Sequence, residues 1–211
     1  MAVARKTNEG FWDRIAAKYA RQPIADQAAY EHKLEVTQQY LTADTKLFEF
    51  GCGTGSTAII HATKVAHIVA IDVSENMLAI AREKALDANI DNIEFIRSRI
   101  EEYDAQPGSF DVVLGMSIIH LLPDRQAALT KIHSLLAPNG AFISSTACLK
   151  DSTGFLRPFL WIGRQIGKLP YVSFFSKDEF LDELRDAGFV IEYEWQPGKS
   201  KGLFVVARKP S

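Results

Sequence analysis

The sequence predicts a doubly wound α/β fold: a mostly parallel seven-stranded sheet with an N-terminal helical preface and a C-terminal antiparallel hairpin. Three observations carry this. Between residues 45 and 147 short apolar runs alternate with helical segments. Near the C-terminus two apolar runs are joined by a connection too short for a parallel crossover. The chain has 211 residues, 47% of them apolar and 24% charged, which suits one well-buried domain.

The elements follow in order. From Phe11 to Leu41 apolar residues recur at helical spacing, first as Phe11, Ile15 and Tyr19, then as Tyr30, Leu34, Thr37 and Leu41, with Pro23 between two helices. KLFEFG (46–51), HIVAID (67–72), IEFIR (93–97), FDVVLG (110–115) and AFISSTA (141–147) read as strands buried on both faces. TAIIHATKV, ENMLAIAREKALDAN and DRQAALTKIHSLL are the crossover helices between them. Ser176 and Glu179 form a capping box for a helix over 177–187, and Gly188 supplies its left-handed stop. GFVIEYEW and GLFVVAR, joined by QPGKSK, specify the hairpin.

Composition excludes several classes. With 24 basic and 26 acidic residues the formal charge is −2, so no global positive field exists to recruit nucleic acid or an anionic bilayer. Cys52 and Cys148 are the only thiols, which fits a reducing, cytoplasmic setting with no disulfide. The N-terminus lacks the apolar region of a secretory signal, and no apolar run approaches the roughly 20 residues that span a bilayer.

The stretch LFEFGCGTGSTAII (47–60) leaves a strand and enters a helix with Gly51, Gly53 and Gly55 at alternate positions. Such a loop lets backbone approach a ligand, and the following helix offers free N–H groups, so a small ligand with an anionic group is expected there. The spacing is G-x-G-x-G without the Lys of a P-loop, and it departs from the G-x-G-x-x-G dinucleotide fingerprint. Glu49 stands in an apolar strand, where its carboxylate needs a cation or donors. Asp72 ends the next strand, where a carboxylate can accept both hydroxyls of a ribose. Its plainer role is to cap the helix over 75–89.

These residues resemble the Rossmann-like class I S-adenosylmethionine-dependent methyltransferases, in particular the UbiE-like small-molecule branch. The resemblance rests on EFGCGTG (49–55), AIDVSENML with Asp72, FDVVLGMSIIHLLPD (110–124), LLAPNG (135–140) and the closing hairpin. It implies S-adenosylmethionine as cofactor and S-adenosylhomocysteine as product. The backbone of Gly51, Cys52, Gly53, Thr54 and Gly55 would line the methionine moiety, with Glu49 facing its ammonium. Asp72 would hold the ribose, Val73 and Met77 would flank the adenine, and Gly115 and Met116 would border the cofactor. Where the family often has an acid for the adenine amino group, this chain has Ser98, Arg99 and Ile100. A guanidinium has no acceptor, so the backbone of Ser98 to Ile100 is expected to read the base.

The resemblance divides the chain into a preface (1–44), a cofactor-binding core (45–147), a substrate-cap insertion (148–176) and a closing helix with hairpin (177–211), all one domain. His120 after the fourth strand is the candidate general base, against a plain packing role beside Ile119 and Leu121. His61, His67 and His133 are assigned to the surface, the core or a strand start. On the preface Tyr19 is the expected cofactor contact and Trp12 is assigned to the core, with Tyr30 and His32 as further pocket candidates. If 156–169 is helical, Phe159, Ile162, Ile166 and Leu169 share one face and Arg157, Arg164 and Lys168 the other. That is either a packing helix or a cap over an apolar acceptor, with weak interfacial membrane contact through Trp161. The expected function is methyl transfer to a small, apolar molecule, with no metal and no nucleic-acid partner. The alternatives are a non-catalytic nucleoside-binding regulator on the same fold and a nicotinamide-linked oxidoreductase. The glycine spacing and the hairpin oppose the latter.

Overall fold

Seven strands form one sheet in the order β3-β2-β1-β4-β5-β7-β6. The structure, a computed structural model, describes residues 2–153, 169–198 and 201–211. The strands are β1 (Lys46–Phe50), β2 (His67–Asp72), β3 (Ile93–Arg97), β4 (Phe110–Met116), β5 (Leu136–Thr146), β6 (Val190–Trp195) and β7 (Leu203–Arg208). The first five pair in parallel. The hairpin reverses direction and slots β7 between β5 and β6. The helices are α1 (Ala2–Ala20), α2 (Gln27–Gln38), α3 (Ser56–Ala62), α4 (Glu75–Asp87), α5 (Arg125–Leu135), α6 (Leu149–Thr153) and α7 (Lys177–Asp186).

The period of two along each strand divides the core. Phe48, Phe50, Val69, Ile71 and Val113 face one side, where Leu129 and Ile132 of α5 and Phe180 and Leu184 of α7 pack on them. Leu47, Ile68, Ala70, Val112 and Leu114 face the other, covered by Val36 of α2, Ala58 and Ala62 of α3 and Leu78 of α4. By this parity Glu49, two residues after Leu47, is turned to the α2 and α3 side.

Local chemistry explains the boundaries. Both halves of the Ser176–Glu179 capping box are present, and Gly188 takes φ +91. Asp72 does not cap α4: Ser74 does, accepting from the Met77 amide at 3.1 Å. β5 begins at Leu136 rather than at residue 141, because a register shift opposite Phe110 and Val112 lets Leu136 pair first. Residues 156–168 of the amphipathic insertion lie outside the described residues. Its flanks are described and dock near the sheet's C-terminal edge: the Ser173 amide donates to the His120 carbonyl at 2.7 Å, and the Arg125 guanidinium lies 4.3 Å from the Phe175 ring centroid. Among the described residues no helix is long and apolar enough to cross a membrane.

His61 of α3 is fully buried, and neither ring nitrogen has a partner. Burial pushes its pKa from 6.5 down to about 4. The charged form is therefore disfavoured in the fold, and stability held above pH 6.5 drains away as pH falls toward 4. The expected loss from this one group between pH 7.5 and 5 is about 2 kcal/mol. Urea unfolding should show that His61→Leu loses correspondingly less than wild type over that interval; identical losses would contradict this.

Candidate active site

The loop after β1 turns through positive φ at Gly51 (+65), Gly53 (+54) and Gly55 (+72). At Gly51 and Gly55 close packing adds a second demand for glycine. A Cβ on Gly51 would lie 2.6 Å from Ile118, and one on Gly55 would lie 2.8 Å from Ala81 of α4. Gly53 faces open space, with the Tyr19 ring 4.0 Å from where its Cβ would stand.

Asp72 fixes this loop. One carboxylate oxygen accepts from the Gly53 amide and the other from the Ser74 amide, each at 2.9 Å. Each oxygen keeps a second lone-pair site, so a diol can still donate to it. Burial raises the Asp72 pKa, opposed by the backbone hydrogen bonds from Ser74, Gly53 and Val73. The rim above is held by α1, where Asp13 accepts from Ser74 Oγ at 2.6 Å and from the Asn76 amide at 3.2 Å.

Two cavities meet at Gly51. The smaller is lined by Trp12, Asp72, Val73, Ser98, Arg99, Ile100 and Tyr171. The larger, of about 490 Å³, is lined by Tyr19, Tyr30, Lys33, Glu49, Cys52, Gly53, Thr54, Met116 and Ser117 among others. Glu49 is 2% exposed and its Oε2 has no partner. Burial, reinforced by the Asp72 charge, raises its pKa from 4.5 to about 8, so at neutral pH it is a protonated acid.

Most residues singled out from sequence line one of the two cavities, but the exceptions are informative. Gly115 packs: a Cβ there would sit 2.6 Å from the Phe50 ring. Gly55 closes α4 against the loop, and Met77 is a core residue 2% exposed. Trp12, assigned from sequence to the core, lines the smaller cavity and stands edge-on to Tyr19, ring centroids 6.1 Å apart. Arg99 reaches the cavity wall and ion-pairs with Glu9 of α1, so its charge secures the preface across this side. His120 occupies a short 3-10 turn (Ile119–Leu121), its Nδ1 3.3 Å from Thr146 Oγ1. Burial lowers its pKa to about 4, and it is not among the residues that line either cavity. On α2, Tyr30 faces the larger cavity while His32 turns away, its Nε2 2.9 Å from Tyr193 Oη. Lys33, one turn beyond Tyr30, was not singled out; the i, i+3 spacing from Tyr30 was the available signal.

The residues present suit a ligand with a diol at one end and an ammonium at the other. Asp72 offers acceptors in one cavity, and the unpartnered Glu49 oxygen awaits a cation in the other. Among the described residues no cluster of His, Cys, Asp and Glu is arranged to hold a metal.

Fold and site together define a Rossmann-like protein of the methyltransferase type. Residues 41–186, well over half the chain, match the family described as a methyltransferase domain, and the chain belongs to that family. It is 29% identical over 156 residues to an Acinetobacter baumannii ubiquinone biosynthesis O-methyltransferase, covering 71% of this chain and 65% of the relative. It is 31% identical over 185 residues to the 27-O-demethylrifamycin SV methyltransferase of Amycolatopsis mediterranei, covering 86% and 65%. The matched region thus spans just under two thirds of these relatives' length. A structure described as a SAM dependent methyltransferase from Aquifex aeolicus superposes with TM-score 0.66 at 19% identity, covering 84% of this chain and 89% of that one.

Glu49 yields a stability test. Its folded pKa of about 8 lies above the unfolded value, so its favourable protonated form is progressively lost as pH rises from about 5 to 8. Ligand-free Glu49→Gln should therefore gain about 3 kcal/mol on wild type across that interval in urea unfolding. A constant difference between the two proteins would refute the buried acid.

Proposed function

We propose that this chain is an S-adenosylmethionine-dependent methyltransferase acting on a small, largely apolar molecule. The single observation that carries the proposal is the pair of cavities joined at Gly51, with Asp72 serving one and the orphaned Glu49 oxygen the other. Adenosine fits the side of Asp72, with Val73, Ser98 and Ile100 around the base. The amino-acid end fits the side of Glu49, beneath Tyr19. The bound donor supplies an electrophilic methyl on a sulfonium. What the chain adds is alignment and water exclusion, which are worth up to roughly 7–11 kcal/mol in well-oriented systems.

Membership of the methyltransferase-domain family supports this reading, and the relatives' names support an oxygen acceptor. A small-molecule rather than macromolecular acceptor agrees with the near-neutral charge balance. Cys52 and Cys148, both free and buried, agree with a cytoplasmic setting. The regulator alternative predicts binding without turnover. Accumulation of S-adenosylhomocysteine with any acceptor excludes it.

Titration calorimetry with S-adenosylhomocysteine tests the donor site. Binding is expected, with release of up to about one proton at pH 7, because the ligand ammonium converts Glu49 from acid to carboxylate. Buffers of different ionisation enthalpy reveal that proton. Asp72→Ala should weaken binding at least about tenfold, through the lost diol acceptors and the loosened loop. Absence of binding to the wild-type protein would overturn the proposal.

A further inference from the structure

Lys33 is a cation that the donor site leaves unused. α2 turns Ala29, Tyr30, Lys33 and Leu34 to the larger cavity, one face at helical spacing. The Lys33 stem is half-buried, and its Nζ donates to Ser145 Oγ at 2.8 Å. Asp26, the N-cap of α2, is taken up by Lys201 at 3.0 Å and by the Ala29 amide at 3.1 Å. The cavity's charged lining is Asp26, Lys33, Glu49 and Lys84. Lys84, on α4, is committed to the glycine loop and the start of α3, donating to Thr54 Oγ1 at 3.2 Å and Ser56 Oγ at 3.1 Å. Lys33 instead sits over the ends of β4 and β5, where Met116 pairs with Ser145.

That end of the sheet carries strain as well. Ser117, a non-glycine residue, is held at φ +58 while its amide donates to the Ser145 carbonyl at 2.7 Å. Strain of this kind is kept where a chain end must be presented to a ligand. The Tyr30 hydroxyl is buried nearby and makes no well-formed hydrogen bond. Lys33 spends one N–H on Ser145 and keeps the rest for the cavity, and the Ser145 hydroxyl keeps its own proton to donate.

We propose that Lys33, steadied by Ser145, is the catalytic group that receives the acceptor's oxygen, so that the cleft takes a small molecule with an ionisable hydroxyl, a phenol or an enol. The proposal rests on the methyltransferase reading above. The acceptor's hydroxyl gives its proton to solvent as its oxygen settles against the Lys33 ammonium. The oxygen's electron pair forms the bond to the methyl carbon, and the pair of the breaking carbon–sulfur bond returns to sulfur. The negative charge of the oxygen cancels the positive charge of the sulfonium, and the Lys33 ammonium is left unchanged. Burial lowers the Lys33 pKa against the pull of Asp26, and an anionic oxygen beside the ammonium offsets that burial.

The test is an optical titration of protein saturated with S-adenosylhomocysteine, using 4-nitrocatechol buffered below its own ionisation. Its phenolate absorbs at longer wavelength than the phenol. Wild type should convert the bound probe to phenolate, Lys33→Met should abolish the conversion, and Lys33→Arg, which keeps the cation, should retain it. S-adenosylhomocysteine should bind Lys33→Met within about twofold of wild type, which also shows that the variant is folded. A loss of about tenfold or more would place Lys33 on the donor and overturn the proposal. So would a probe that stays phenolic on wild type or shifts equally on Lys33→Met. If wild type fails to bind S-adenosylhomocysteine, the methyltransferase reading falls and this proposal with it; intact donor binding with an unshifted probe overturns this proposal alone.

Discussion

A carboxyl group on a central strand of a parallel sheet, almost wholly buried and with one oxygen left without a partner, is a cost that folding alone does not explain. Glu49 is that group. Its place follows from strand parity: Phe48 and Phe50 belong to one core, so the residue between them must face the other. The protein tolerates it as a neutral acid. A cationic ligand then recovers what burial withheld, because the same desolvation that raises the pKa strengthens a charge pair inside the cleft.

The remaining parts serve to bring a ligand to that point. Asp72 holds the glycine loop through the Gly53 amide and the following turn through the Ser74 amide. The α1 helix is tied down at both ends of this region, by Asp13 to Ser74 and Asn76 and by Glu9 to Arg99. These contacts set the preface across the donor side. The α2 helix closes the other side and brings Tyr30 and Lys33 over the ends of β4 and β5. One site thus draws on elements from residue 9 to residue 171, although its chemistry concentrates in the loops at the C-terminal ends of β1, β2 and β4.

Much of this was legible in the sequence because its signals are local. Strand runs, the capping box, the glycine loop and the hairpin depend on neighbours within a few residues, and each is present, although β5 starts at Leu136 rather than at 141. What escaped depends on tertiary direction. Lys33 looks like one polar residue in a polar helix until α2 is docked, and His32 beside it turns the opposite way to Trp195, ring centroids 4.4 Å apart. Trp12 has a core composition and a cavity position, which only the crossing of α1 decides. Arg99 looked like a missing adenine acceptor, yet its partner Glu9 lies 90 residues away. The capping role that was the plainer alternative for Asp72 falls to Ser74 two residues on, because each Asp72 carboxylate oxygen accepts from a backbone amide.

The central claim is that Glu49 is an uncharged acid which a cationic ligand ionises. Carbon-13 NMR of protein with labelled glutamate side chains, the Glu49 signal assigned with Glu49→Gln, observes that directly. At neutral pH the free protein should show a protonated Glu49 carboxyl, and saturation with S-adenosylhomocysteine should move it to the carboxylate position. A Glu49 signal already at the carboxylate position in the free protein, or unmoved by saturating ligand, would contradict the account.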